Sequence, residues 1–520
     1  MRQIILFYFL SVSLQIFSQF SQIDVQSYRI DLTVNDSNDT ILVKEKIVFD
    51  YNDFTKSVSL NLSSIDKSGK GMHIQKVMQG KNELKFIHSK NLLTLKDFRV
   101  NTNENIEIEV HFKGVPIDGL VIGKNKFGSR TFFGDNWPNR AQNWFACNDH
   151  PSDKATVEYI VNAPLKYEVV ANGQLISKKI NKKSVVYHYQ SKVVLPTQFM
   201  VVGIANLSEK QSGTVSGIPV FSAVYPENEK SAFHDFDLAP SVLQFFIDYI
   251  APYEFEKLTN VQSTTRFGGM ENAGCIFYDE NSITGTRSCE NLIAHEIVHQ
   301  WFGNSASEKD WPHIWLSEGF ATYLTNIYIQ KTKGDLAFQT QMAKDRKKVI
   351  AFSKTYNHAV VDINYTDLMD LLNPNSYQKG GWVLHMLRAE IGDSLFQLSI
   401  QAYYKKFRLS NADTKDFQEV VELVSKRNFD WFFKEWLYQA EIPTLKISDE
   451  IAGKTIKLKI SQKGYVFRFP LIVEIKLQNG ETILEKIQIT EKETLFTKEY
   501  AIEIGSFRID PTVDLLFQQY

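Results

Sequence analysis

Residues 291–303 read NLIAHEIVHQWFG, two histidines four positions apart with a glutamate directly after the first. On a helix, His295 and His299 project from one face, one turn apart. Imidazoles so placed can reach one ion at about 2.0–2.1 Å. Ile293, Ile297 and Trp301, with Ala294, Val298 and Phe302, cover much of the remaining circumference. The pattern predicts a buried helix with a narrow polar arc open to a cleft. Two unpaired buried histidines would be costly there, and a metal relieves that cost.

The bare motif can turn up by chance and is suggestive, not decisive, so a third ligand decides more. WLSEGFATYL (315–324) starts a second helical pattern and puts Glu318 eighteen intervening residues beyond His299. Two neutral imidazoles and one carboxylate leave a coordination position for water, as catalytic zinc requires. His295, His299 and Glu318 are therefore the candidate ligands of one zinc ion per chain. Glu296 sits beside the water position and is the candidate general base. Upstream, RFGGMENAGCIFYDE (266–280) places Glu271 after Gly268-Gly269, on flexible or closely apposed backbone.

Around these motifs the chain is long and mixed. Its 520 residues imply several domains. Hydrophobic content of 43% with 23% charged residues is that of a soluble globular protein. A formal net charge of −2 gives no global basic field, so no nucleic-acid or anionic-membrane partner is expected. Arg2, the apolar run IILFYFLSVSLQIF (4–17) and small residues from Ser18 to Ser21 read as a cleaved export signal. No later run of eighteen apolar residues exists, so no membrane span is expected, and the mature protein is expected to be secreted or periplasmic. Cys147, Cys275 and Cys289 allow at most one internal disulfide and read mainly as small buried hydrophobes.

Alternation dominates the first part of the chain. YRIDLTVNDSNDTILVKEKIVFDY (28–51) gives two strands around a polar turn, and NIEIEVHFKG (105–114) and TVEYIVNAP (156–164) continue the pattern. The period changes in SAFHDFDLAPSVLQFFIDYIAPYEF (231–255), with Pro240 marking a helix start or break, and helical patterns run on to about Ala440. Alternation returns from Thr444, with an Asn479-Gly480 hairpin signal. The expected organisation is multidomain α+β: a signal at 1–21, an N-terminal antiparallel β domain at 22–207, a mainly helical catalytic domain at 208–441 and a small β-sandwich at 442–520.

Taken together, these motifs resemble the M1 family of zinc aminopeptidases, gluzincins of the aminopeptidase N type. GGMEN (268–272) matches the family's G-x-M-E-N motif, HEIVH…SEGFA its zinc motif, and SYQKGGWVLHML (376–387) its Y-x-K-G segment. WFACNDHPSDKATVEYIV (144–161) is similar to its N-terminal signature, with Ala146 in place of proline. The resemblance covers about residues 25 to 520. It implies a thermolysin-like catalytic domain and a shorter bacterial type without the long C-terminal helical domain. It also implies that Glu271 binds the free α-amine of a peptide substrate, with Glu318 sharing its outer oxygen. Gly268, Gly269, Met270 and Asn272 would contact substrate, and the Tyr377 hydroxyl would donate to the oxyanion; Lys379 and Gly380 are structural. Where relatives often carry Gln or Glu, this chain has Trp137. Either Asn136 substitutes for that polar residue or the pocket is more apolar. The alternative activity is another zinc hydrolase of the same fold, of the epoxide hydrolase kind. A binding module that had lost its chemistry would lack a ligand or the base, and none is missing.

Overall fold

The computed structural model describes residues 23–51, 57–96, 98–99 and 105–520. The expected export signal lies outside them. The chain forms two compact units. One comprises Met1–Asp248, Pro252–Ser307 and Arg408–Asn411; the other comprises Tyr249–Ala251, Glu308–Phe407 and Ala412–Tyr520.

The first unit is built on an eight-stranded sheet. Ile23–Thr33 and Ile41–Tyr51 pair antiparallel about a polar turn, in which the Asn35 Oδ1 accepts from the backbone of Ser37 and Asn38. Their alternating burial follows the sequence alternation. The sheet is not wholly antiparallel: Lys154–Pro164 runs parallel to Ile23–Thr33. Parallel neighbours need a long crossover, and the residues between these two strands supply one. A pairing so distant in sequence leaves no local signature.

A five-stranded sheet follows, in the order Ser208–Val215, Ile218–Val224, Leu258–Ser263, Cys275–Asp279 and Gly269–Met270. It lies within the stretch expected to be mainly helical. Leu258–Ser263 is buried at every position, so it carries no period-two signal to read. Helices Glu229–Phe236 and Ala239–Tyr249 break just before Pro240, as expected. All three cysteines are buried and free.

The second unit holds helices Trp315–Lys333, Asp335–Ser353, Gly380–Ile391, Asp393–Phe407, Thr414–Ser425 and Asp430–Leu437. A four-stranded and a three-stranded sheet then close the chain. Phe469–Leu477 and Thr482–Ile489 form the hairpin at Asn479-Gly480, where Gly480 has φ 89°. The multidomain α+β organisation is thus present: a β-rich N-terminal part, a helical catalytic part and C-terminal sheets compatible with a small sandwich.

One acid faces the first unit's core. Glu45 shares the inner face of its strand with Val43 and Ile47 and is fully buried. One carboxyl oxygen accepts from the Ala146 N–H at 2.8 Å, while the other has no hydrogen-bond partner among the described residues. Burial holds its pKa well above the ordinary carboxyl value, an effect the Ala146 N–H only partly offsets. Burial likewise pushes Asp149 up to about 6 and Asp153 up to about 7. A raised folded pKa gives stability that is fully present below the unfolded value and is lost as pH rises toward the folded one. Glu45→Gln removes this ionisation. As pH rises above the ordinary glutamate value of about 4.3, the melting temperature of the variant should therefore rise relative to wild type. Parallel melting curves above that value would refute the assignment.

Candidate metal centre

In the first unit the histidine helix spans Glu290–Val298. His299 is its C-cap, one residue past the last helical position, and keeps right-handed helical dihedrals. Its N–H still donates to the His295 carbonyl at 3.3 Å, so the one-turn relation between the imidazoles survives the helix end. Ile293, Ala294, Ile297, Val298, Trp301 and Phe302 are all buried, and His295 is half-buried on the opposite arc. The two Nε2 atoms face each other at 3.1 Å. His299 Nδ1 lies 3.1 Å from the Phe302 carbonyl, and a proton there makes Nε2 the lone-pair nitrogen. Ligands held tetrahedrally at about 2.1 Å from an ion are roughly 3.4 Å apart, so this spacing suits a shared metal. His295, His299 and Glu318 are residues of the kind that could hold a metal ion. The N, N, O donor set is that of catalytic zinc.

Glu296 is buried on the same helix, and the edge of the five-stranded sheet comes against it. Gly269 and Met270 pair with Tyr278 and Phe277, and Glu271 follows directly. A Cβ on Gly269 would lie 2.3 Å from Glu296 Oε1 and 2.5 Å from its Cδ. The flexible Glu296 side chain therefore packs directly onto the Gly269 backbone. Gly268 is exposed and nothing lies closer than 3.9 Å to its Cβ direction. Met270 and Glu271 are buried, and Asn272 is wholly so.

The approach to this edge is fixed by charge. Buried Asp135 accepts from Arg140 at 2.5 Å and from the Arg266 N–H at 3.4 Å. Asp118 binds the Arg266 guanidinium at 2.6 Å. Phe267, between Arg266 and Gly268, packs edge-on against the buried indole of Trp137. Asn136 does not substitute for the missing polar residue. Its Nδ2 donates to the Thr197 and Met200 carbonyls, and its Oδ1 accepts from Trp144 Nε1. No local sequence signal joins Arg266 to Asp118 and Asp135, which lie far from it along the chain.

In the second unit Glu318 lies buried in the first turn of Trp315–Lys333, where a carboxylate suits the positive end of the helix dipole. Gly319 lets that helix meet the Gly380 backbone, since a Cβ there would be 3.0 Å from Gly380 Cα. Tyr377 lies in a π-helical turn, Asn375–Lys379, a rare conformation that is frequent at functional sites. Lys379 is buried and donates to the carbonyls of Gln439, Ala440 and Glu441, in keeping with the structural role expected of it.

The contrast between the two glycines is testable. Gly269→Ala would crowd the flexible Glu296 side chain, which must shift, so it should alter kcat/KM more than Gly268→Ala does, with a small change in melting temperature. Equal effects of the two substitutions would contradict the packing described.

Two family models match the chain: the peptidase M1 N-terminal domain over residues 25–199 and the peptidase family M1 domain over residues 234–436. A leucyl aminopeptidase of Saccharolobus solfataricus is 25% identical over 423 residues, which are 75% of this chain and 52% of the relative. Aminopeptidase M1-A of Oryza sativa subsp. japonica is 28% identical over 328 residues, 60% of this chain and 37% of the relative. The chain thus spans about half or less of the length of these curated relatives. Among solved structures, Legionella pneumophila aminopeptidase A in complex with aspartic acid shares the fold, with a TM-score of 0.82 over 96% of this chain and 60% of that one, at 16% identity. The two domain models follow one another along the strand-rich and then the helix-rich parts of the sequence, and the chain belongs to peptidase family M1.

Proposed function

We propose that this chain is an exported zinc aminopeptidase that removes the N-terminal residue from peptides with a free α-amine. The observation that carries the reading is the packing of the Gly269–Glu271 edge directly onto the helix of His295, Glu296 and His299. An amine-binding carboxylate and a general base are thereby held on one scaffold. Arg2 and the apolar run at 4–17 support export, and among the described residues no helix is long and apolar enough to cross a membrane.

His295, His299 and Glu318 would hold the zinc. Bound there, zinc would polarise the scissile carbonyl and bring the pKa of water from 15.7 toward about 7. Glu296 takes the proton of the attacking water and delivers it to the leaving amine. The Tyr377 hydroxyl donates to the oxyanion; one such donor is typically worth about 3–4 kcal/mol. Glu271 binds the substrate ammonium through a charge-assisted hydrogen bond, and Glu318 shares that cation. Gly268, Gly269, Met270 and Asn272 shape the backbone that receives the substrate. Fixing the amine lets only the first peptide bond reach the reacting centre.

Purified protein should contain one zinc per chain and lose activity to a strong chelator. Glu296→Gln should keep the metal and lose orders of magnitude in kcat; near wild-type turnover would remove Glu296 from the role of base. Glu271→Ala should lower kcat/KM on amino-acid arylamides by roughly tenfold to a few hundredfold with zinc content unchanged, since a hydrogen bond to a charged group is worth about 1.5–3 kcal/mol. An unchanged kcat/KM would show that Glu271 does not bind the amine.

A further inference from the structure

Side chains, more than sheet pairing, hold the segment from Gly268 to Gly274. Only Gly269 and Met270 are in a strand. Buried backbone groups need partners, and five carbonyls of the segment find them outside it or across its turn. The Gly268 carbonyl accepts from Asp279 N–H, that of Asn272 from Cys275 N–H, and that of Gly274 from Thr259 N–H. Asn172 Nδ2 donates to the Ala273 carbonyl at 2.8 Å. The Glu271 carbonyl accepts from two buried amides on one short stretch, Gln300 Nε2 at 2.9 Å and Asn304 Nδ2 at 2.6 Å.

Gln300 does more than satisfy one carbonyl. Its Oε1 accepts from the Gly274 N–H at 2.9 Å, so one amide grips both ends of the turn after Glu271. Its Nε2 also lies 3.3 Å from the carbonyl of Glu296. The residue next to His299 thus joins the backbone of Glu271 to that of Glu296. Methionine fills similar volume with neither polar group. Glutamate keeps the acceptor and lacks the donor.

We propose that Gln300, seconded by Asn304, is a positioning residue that fixes the Glu271 backbone to the helix carrying Glu296 and so sets the separation between amine anchor and general base. This rests on Glu271 being the amine anchor. A residue that merely fills the core would affect stability and activity without regard to Glu271. A residue that acts through Glu271 has nothing left to position once that carboxylate is gone.

A double-mutant cycle separates the two. Wild type, Gln300→Met, Glu271→Ala and the double variant are assayed in the full chain on an amino-acid p-nitroanilide, with zinc measured in each. Gln300→Met should retain zinc and lower kcat/KM by on the order of tenfold. In the Glu271→Ala background the same substitution should change kcat/KM by less than about twofold. Asn304→Leu, put through the same cycle, decides the matter if Gln300→Met does not fold. Equal losses in both backgrounds, or no loss in either, would overturn the proposal while leaving Glu271 as anchor. A silent Glu271→Ala would instead remove the anchor, and this inference with it.

Discussion

A backbone lies where a side chain would otherwise be. Gly269 presents its peptide to the Glu296 carboxylate so closely that a single added carbon would sit 2.3 Å from Oε1. This contact sets how near the sheet edge can come to the histidine helix. It places Glu271, two residues on, beside the helix that supplies His295 and His299. The price of the approach is an edge strand only two residues long, and a strand that short cannot satisfy the backbone around it. Asn172, Gln300, Asn304 and Lys257 supply what the sheet does not. Each is buried, and loss of the Asn172 or Gln300 amide would leave the Ala273 carbonyl or the Gly274 N–H desolvated.

The second unit uses a similar device. Gly319 meets Gly380 at backbone distance, and this brings the helix of Glu318 against the π-helical turn of Tyr377. Lys379 anchors the end of that turn. Burial pushes its amine down to about 7, while the three carbonyl acceptors on residues 439–441 favour the ammonium form. In both units a candidate site residue sits next to a glycine that permits a close approach and near a buried polar group that holds the backbone in place.

Much of this was legible in the amino acids. The His295–Glu296–His299 spacing reports one helical turn, and Glu318 lies on the following helix at the interval that the motif demands. Gly268-Gly269 announced an unusual backbone, although which glycine packs closely needed coordinates: 269 meets Glu296, and 268 has only ordinary contacts from 3.9 Å. The histidine helix ends at Val298, earlier than apolar periodicity through Phe302 implies. Periodicity records burial, and Trp301 and Phe302 stay buried after the helix has ended. Gln300 gave no signal, because an amide beside a helical histidine looks like an ordinary polar position. The parallel pairing of Ile23–Thr33 with Lys154–Pro164, and the closing of Arg266 onto Asp118 and Asp135, join residues too distant in sequence for any local pattern to show. Trp137 left two alternatives open. Both ends of the Asn136 amide are engaged within the protein.

The central claim is that a carboxylate beside the base recognises a charged amine and so restricts cleavage to the first residue. It is tested most directly by wild-type protein acting on one short peptide in two forms, with a free N-terminus and N-acetylated, the products being identified by mass. The account predicts sequential loss of single residues from the free peptide and little reaction of the acetylated one, which lacks the charge and adds bulk at Glu271. Equal rates on the two forms, or internal cleavage of either, would contradict it.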